Sequence, residues 1–271
     1  MIIRFIRQRW FQIFAGGILL FIITEQALRI TSNPNYFPTV ILLGAFIIPV
    51  TFVAYFYEHV RDRDISQSLL ITTFLAGGML GLAAAGIVEY GALQKMSIGA
   101  LFGVGFIEES AKLIFPIAMY IGWRYRHEAD GLIFGIAAGM GFAALETMGY
   151  ALVTLIQSRG DVTVLEQVLF LRGLLSPAGH ATWTGFVCAI LWHEREMKGH
   201  VAINFPVIGA FLLAVLLHAL WDIISSVGGQ LQSGPIVIIT GNSILAIISL
   251  SLVIWRFRKA RARIVQPDQA Q

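Results

Sequence analysis

Apolar stretches of about twenty residues recur along the whole chain, and no other property restricts its folding so strongly. The segments 10–30, 36–57, 68–89, 98–123, 131–156, 168–192, 203–227 and 235–257 are each long enough to cross a hydrocarbon layer of about 30 Å. In lipid an amide without a hydrogen-bond partner costs several kcal/mol, so each run must satisfy its own backbone as an α-helix. The expected fold is all-α, a polytopic membrane helix bundle of about eight transmembrane helices. Composition agrees, with 57% hydrophobic and only 13% charged residues, where a water-soluble domain carries about 25% charged. The longest loop, 157–167, is too short to separate domains, so residues 1–271 read as one integral membrane domain.

Orientation follows from the basic residues. With the N-terminus in the cytoplasm, the inner segments hold Arg4, Arg7, Arg9, Arg61, Arg63, Arg124, Arg126, Arg195, Lys198, Arg256, Arg258, Lys259, Arg261 and Arg263, fourteen of the nineteen lysines and arginines. Such a bias predicts both termini inside, with 258–271 as a basic and then polar cytoplasmic tail. Arg4, Arg7 and Arg9 precede a run too long for a signal-peptide core, so that run reads as an uncleaved first span. The net charge of +3, concentrated at helix ends, offers no nucleic-acid face. A lone cysteine, Cys188, excludes a disulfide framework and reads as a core side chain. Gly131, Gly135 and Gly139 are four apart, a spacing that lets helices approach closely.

Polar residues inside the spans carry the functional information. Glu25 and Arg29 sit one helical turn apart and are expected to pair at the interface. Glu108, Glu109, Glu146 and Asp222, with His180 and His218, have no such simple reading. Each charge near the bilayer centre costs roughly 2.5–3.5 kcal/mol to insert, so several together need a compensating role. Counted from the span midpoints, all fall in one layer between the midplane and the outer leaflet; His218 lies roughly 6 Å and Asp222 roughly 12 Å outward. Lys112, four residues after Glu108, is placed to neutralise that carboxylate, while Glu109 points about 100° away and is expected to remain free. His218 and Asp222 share a helix face, and Phe142 is spaced to shield Glu146. Pro177 is expected to break the helix before His180 and open a polar pocket.

These residues form EExxK at Glu108–Lys112, FxxxE at Phe142–Glu146 and HxxxD at His218–Asp222, with RGLLSPAGHATWTG beginning at Arg172 between the last two. In kind and order they resemble the PrsW family of intramembrane proteases, relatives of the CAAX-processing and bacteriocin-immunity membrane proteases. The resemblance covers residues 98–227, the expected catalytic core. It implies cleavage of a membrane-anchored protein, an anti-sigma factor in the namesake branch, by a multi-pass protein of the bacterial cytoplasmic membrane. Glu146 and Asp222 stand where the CAAX-processing relatives carry FxxxH and HxxxN, so the relatives' mechanism does not transfer unchanged.

Amide hydrolysis needs an activated water, an oxyanion stabiliser and an acid for the leaving amine. A glutamate shielded from bulk water, Glu109 or Glu108, serves as base, and His180 and His218 supply the donors. Glu146, His180, His218 and Asp222 equally offer ligands for a divalent metal such as zinc. Lys112, Phe142 and Arg172 complete the expected site in supporting roles. HEREM at His193 is one residue short of a zinc-protease HExxH and falls in a cytoplasmic loop. Buried acids and histidines would also suit a proton- or ion-coupled transporter, although no internal repeat is visible, or a silent relative that only binds a membrane partner.

Overall fold

The computed structural model describes residues 6–60, 65–92, 97–122, 124–231 and 233–265. Arg4, Arg61, Arg63 and tail residues 266–271, used above for orientation, lie outside them. The helices are α1 (Arg9–Thr31), α2 (Phe37–His59), α3 (Gln67–Ala92), α4 (Ile98–Lys112), α5 (Ile114–Ile121), α6 (Glu128–Gln157), α7 (Val162–Leu175), α8 (His180–Lys198), α9 (Phe205–Gly228) and α10 (Gly234–Val265). Short 3₁₀ turns at Pro34–Tyr36 and Ser176–Ala178 join α1 to α2 and α7 to α8. No strand occurs among the described residues. Seven helical segments there are long and apolar enough to cross a membrane. The polytopic all-α architecture is therefore as expected.

Four details refine the sequence reading. The segment 98–123 is not one span: α4 stops at Lys112 and α5 restarts at Ile114. Pro116 has no amide hydrogen to donate to the Lys112 carbonyl, and Leu113 N–H turns back to Ser110 O at 3.2 Å. The segment 168–192 is likewise interrupted at Ser176–Gly179, as Pro177 led us to expect, so His180 opens α8. The supposed loop 157–167 shrinks, because Asp161 caps α7 by accepting from Thr163 N at 2.8 Å. HEREM, finally, belongs to the last turns of α8.

The chain forms two compact units, Met1–His59 with Ala143–Pro177, and Val60–Phe142 with Ala178–Gln271. In the first, Leu28, Val40, Ile41, Ala45, Ala151, Leu165 and Leu169 make the core. Arg29 pairs with Glu25 as expected and also reaches Glu166 on α7 at 2.7 Å.

In the second unit the N-terminal part of α6 is walled in on two sides. A Cβ on Gly131, Gly135 or Gly139 would meet the carbonyl oxygen of Cys188, Thr184 or His180 at 2.6, 2.6 and 2.3 Å. The order reverses along α8, so α6 and α8 pack antiparallel, backbone against backbone. On another side, a Cβ on Gly78 of α3 would meet the backbone carbon of Gly141 at 2.5 Å. Lipid supplies no hydrophobic drive for helix association, so such close approach is the available source of cohesion. It holds the first turn of α8 at a fixed height. Elsewhere in this unit Glu128, which the sequence reading left outside any span, is buried and pairs with Arg256 at 2.5 Å and Arg263 at 3.1 Å, while Arg263 also donates to His193 Nδ1. That network joins α10 to α6 and α8.

Gly135→Ala should lower the unfolding midpoint in detergent, by overpacking worth about 1–3 kcal/mol. Gly86→Ala, where a Cβ meets nothing within 4 Å, should leave it unchanged or raise it slightly; circular dichroism melts of both variants check the contrast.

Candidate active site

The last turn of α4 carries Glu108, Glu109 and Lys112 with their side chains buried. Lys112 Nζ donates to Glu108 Oε2 at 3.0 Å and to Glu109 Oε1 at 2.8 Å. Glu109 is thus not left free by the lysine, contrary to the sequence expectation. Residues i−3 and i−4 lie on adjoining rows of the preceding turn, and a four-carbon stem at a helix end reaches both. Beneath the ammonium lies Phe142, its ring centroid 4.3 Å from Nζ, so this aromatic faces a cation.

From α9, His218 Nδ1 lies 2.9 Å from Glu109 Oε1. An ionised carboxylate only accepts, which assigns the proton to Nδ1. The other nitrogen, Nε2, is 3.7 Å from Glu108 Oε2 and 3.5 Å from Asp222 Oδ2. Gly105, one turn before Glu109, permits this: a Cβ there would meet Val215 O at 3.1 Å and His218 Cβ at 3.4 Å. From α8, the His180 ring stands perpendicular to His218 with centroids 5.8 Å apart, and 5.6 Å from Phe142. Asp222, with 28% of its side chain exposed, and the half-buried His180 are the open members of the group, whereas Glu109 is 1% exposed. The cluster therefore has a closed floor and a partly open side.

Glu146 and Arg172 belong to the other compact unit and bind each other there, Arg172 Nη2 donating to Glu146 Oε2 at 2.6 Å. Arg172 Nε also donates to Thr147 Oγ1 at 3.3 Å, and its guanidinium lies 4.1 Å from the Tyr150 ring centroid.

Two residues outside the expected site set touch the cluster. Thr184 Oγ1, fully buried, donates to Glu109 Oε2 at 3.3 Å. It follows His180 by four residues, so helical spacing carried a signal. Trp183 stacks on His218, ring centroids 4.8 Å apart at 27°.

A metal ion was weighed as part of this site. Among the described residues no three His, Cys, Asp or Glu side chains are arranged to hold one. Both α4 carboxylates are turned onto an ammonium, and Glu146 is paired with Arg172. As arranged, these residues do not fit a metal, and no step below runs through one.

The model of the PrsW family of intramembrane metalloproteases matches residues 66–254, a stretch containing every member of the cluster. The chain belongs to that family. Among curated relatives, protease PrsW of Halalkalibacterium halodurans is 30% identical over 193 residues, 68% of this chain and 82% of the relative. Those of Shouchella clausii and Bacillus subtilis are 25% identical over 211 residues and 23% over 191, covering 75% and 68% of this chain and 90% and 82% of theirs. No solved structure matches the chain. The protein is thus a multi-pass intramembrane protease.

Lys112→Met should destabilise the protein by about 3–5 kcal/mol, because two buried carboxylates lose their cation. Adding Glu109→Gln should recover part of that loss, and a double-mutant cycle of denaturant melts measures the coupling.

Proposed function

We propose that the protein hydrolyses a peptide bond of a membrane-anchored protein by a carboxylate–imidazole mechanism, with Glu108 as base. The single observation carrying this reading is the buried Glu109–His218 contact of 2.9 Å, with Glu108 on the opposite ring nitrogen. Both oxygens of Glu109 are engaged, by Lys112 and His218 on one side and Thr184 on the other, which suits an orienting group. Glu108, on the more open side, removes a proton from water as the oxygen attacks the scissile carbonyl carbon. In this reading His218 carries protons on both nitrogens, each faced by a carboxylate. Its Nε2 proton goes to the leaving nitrogen as the C–N bond breaks, while His180 donates to the oxyanion. Asp222, 3.5 Å from Nε2, keeps the ring turned to that task.

The family's namesake branch points to an anti-sigma factor or a similar single-span protein as substrate. The basic-residue bias supports both termini in the cytoplasm of a bacterial cell, with the site opening outward. Glu146 and Arg172, conspicuous in the motif set, suit a role in receiving substrate.

With purified protein and single-span candidate substrates, Glu108→Gln should lower cleavage by about a hundredfold or more, and retained cleavage would remove Glu108 from the mechanism. Proton flux into liposomes that depends on Glu108, with no substrate cut, would instead identify a transporter. Cleavage should persist after exhaustive chelation. Loss restored by zinc would overturn the metal-free step and give His180, His218 and Asp222 to the metal.

A further inference from the structure

The segments HATW, from His180, and HALW, from His218, interlock in the structure. Trp183 of the first stacks on the histidine of the second, while the two histidine rings meet edge to face. Trp221 of the second abuts Trp183 at 6.2 Å, T-shaped. The indole is itself secured, because Trp183 Nε1 donates to Ser249 Oγ at 3.0 Å. Ser249 lies on α10, a helix without any motif, and it and Trp183 are 1% and 3% exposed.

We propose that Trp183, anchored by Ser249, is the positioning residue that sets the ring plane of His218 for catalysis. The inference rests on the mechanism proposed above. Beyond the bond from Nδ1 to Glu109, Nε2 has only the longer approaches of Asp222 at 3.5 Å and Glu108 at 3.7 Å to steady it, which leaves the imidazole room to swing about Nδ1. Swinging takes Nε2 away from Glu108 and Asp222, and so away from the reacting atoms. An indole face lying 27° from the ring plane blocks the swing towards it, and the perpendicular His180 ring packs beside both. The indole can do so only while its own orientation is held, which is what the bond to Ser249 supplies. An aromatic face also favours a cationic ring beside it, so the stack supports the doubly protonated imidazole that the mechanism uses.

The test uses the full-length protein in detergent, labelled with ¹⁵N at tryptophan and histidine. The Trp183 indole resonance is assigned by its loss in Trp183→Phe. In Ser249→Ala this resonance should move, and the His218 ring nitrogens should shift towards an averaged signal. On a cleaved substrate, kcat of Ser249→Ala should fall about three- to tenfold, the effect of one hydrogen bond, with KM unchanged. Ser249→Thr, which keeps the acceptor, should restore both spectrum and kcat. Unchanged His218 signals and kcat in Ser249→Ala would overturn the proposal, as would a rise in KM with no recovery by threonine. If the His218 signals shift as expected but the parent protein cuts no substrate, the protease mechanism fails and the catalytic role of the stack with it. The spectra need no substrate, so the two failures are distinguishable.

Discussion

The site depends on one cation. Two carboxylates on adjacent residues cannot both be buried without a partner, and the Lys112 ammonium lies within hydrogen-bond reach of each. Its position is a consequence of backbone chemistry. Pro116 stops the α4 ladder at Lys112, so the acids occupy a helix's last turn, where the lysine also complements the helix dipole. Phe142 supplies a ring beneath the cation, and Thr184 and His218 occupy what remains of Glu109. Four helices are thus committed to one charge pair. A change at any of them is felt by the reacting groups.

Cohesion around that pair comes from small residues. The glycines of α6 bring its backbone against α8, and Gly105 brings α4 against α9. Van der Waals contact then works at its shortest range, which matters in a solvent as apolar as the side chains. Rigidity follows, because glycine has no side chain to yield. The His218 imidazole is consequently held within hydrogen-bond distance of Glu109.

Much of this was legible in the sequence, for identifiable reasons. Spans were legible because lipid leaves an amide no alternative to the helix. Glu108, Glu109, His218 and Asp222 could be singled out because buried charge is too costly to be incidental. The pairing of Glu25 with Arg29 followed from one turn of helix. What escaped the reading was the partners on other helices: Glu166 for Arg29, His218 and Thr184 for Glu109, and Arg256 and Arg263 for Glu128. Helical periodicity identifies neighbours within one helix and is silent about those on another. Glu109 was misjudged for a further reason, since angular separation on a helical wheel ignores the reach of a lysine stem.

The sequence by itself determined the helical class, the family and which polar residues lie inside the spans, because these follow from local pattern and from the energetic penalty of charge in lipid. Only the tertiary structure decided which groups meet. The pairing of His218 with Glu109 spans 109 positions in the chain, and the Trp183–Ser249 bond spans 66. Such contacts arise from the approach of whole helices, set by small residues and chain breaks acting together, and no one segment encodes them.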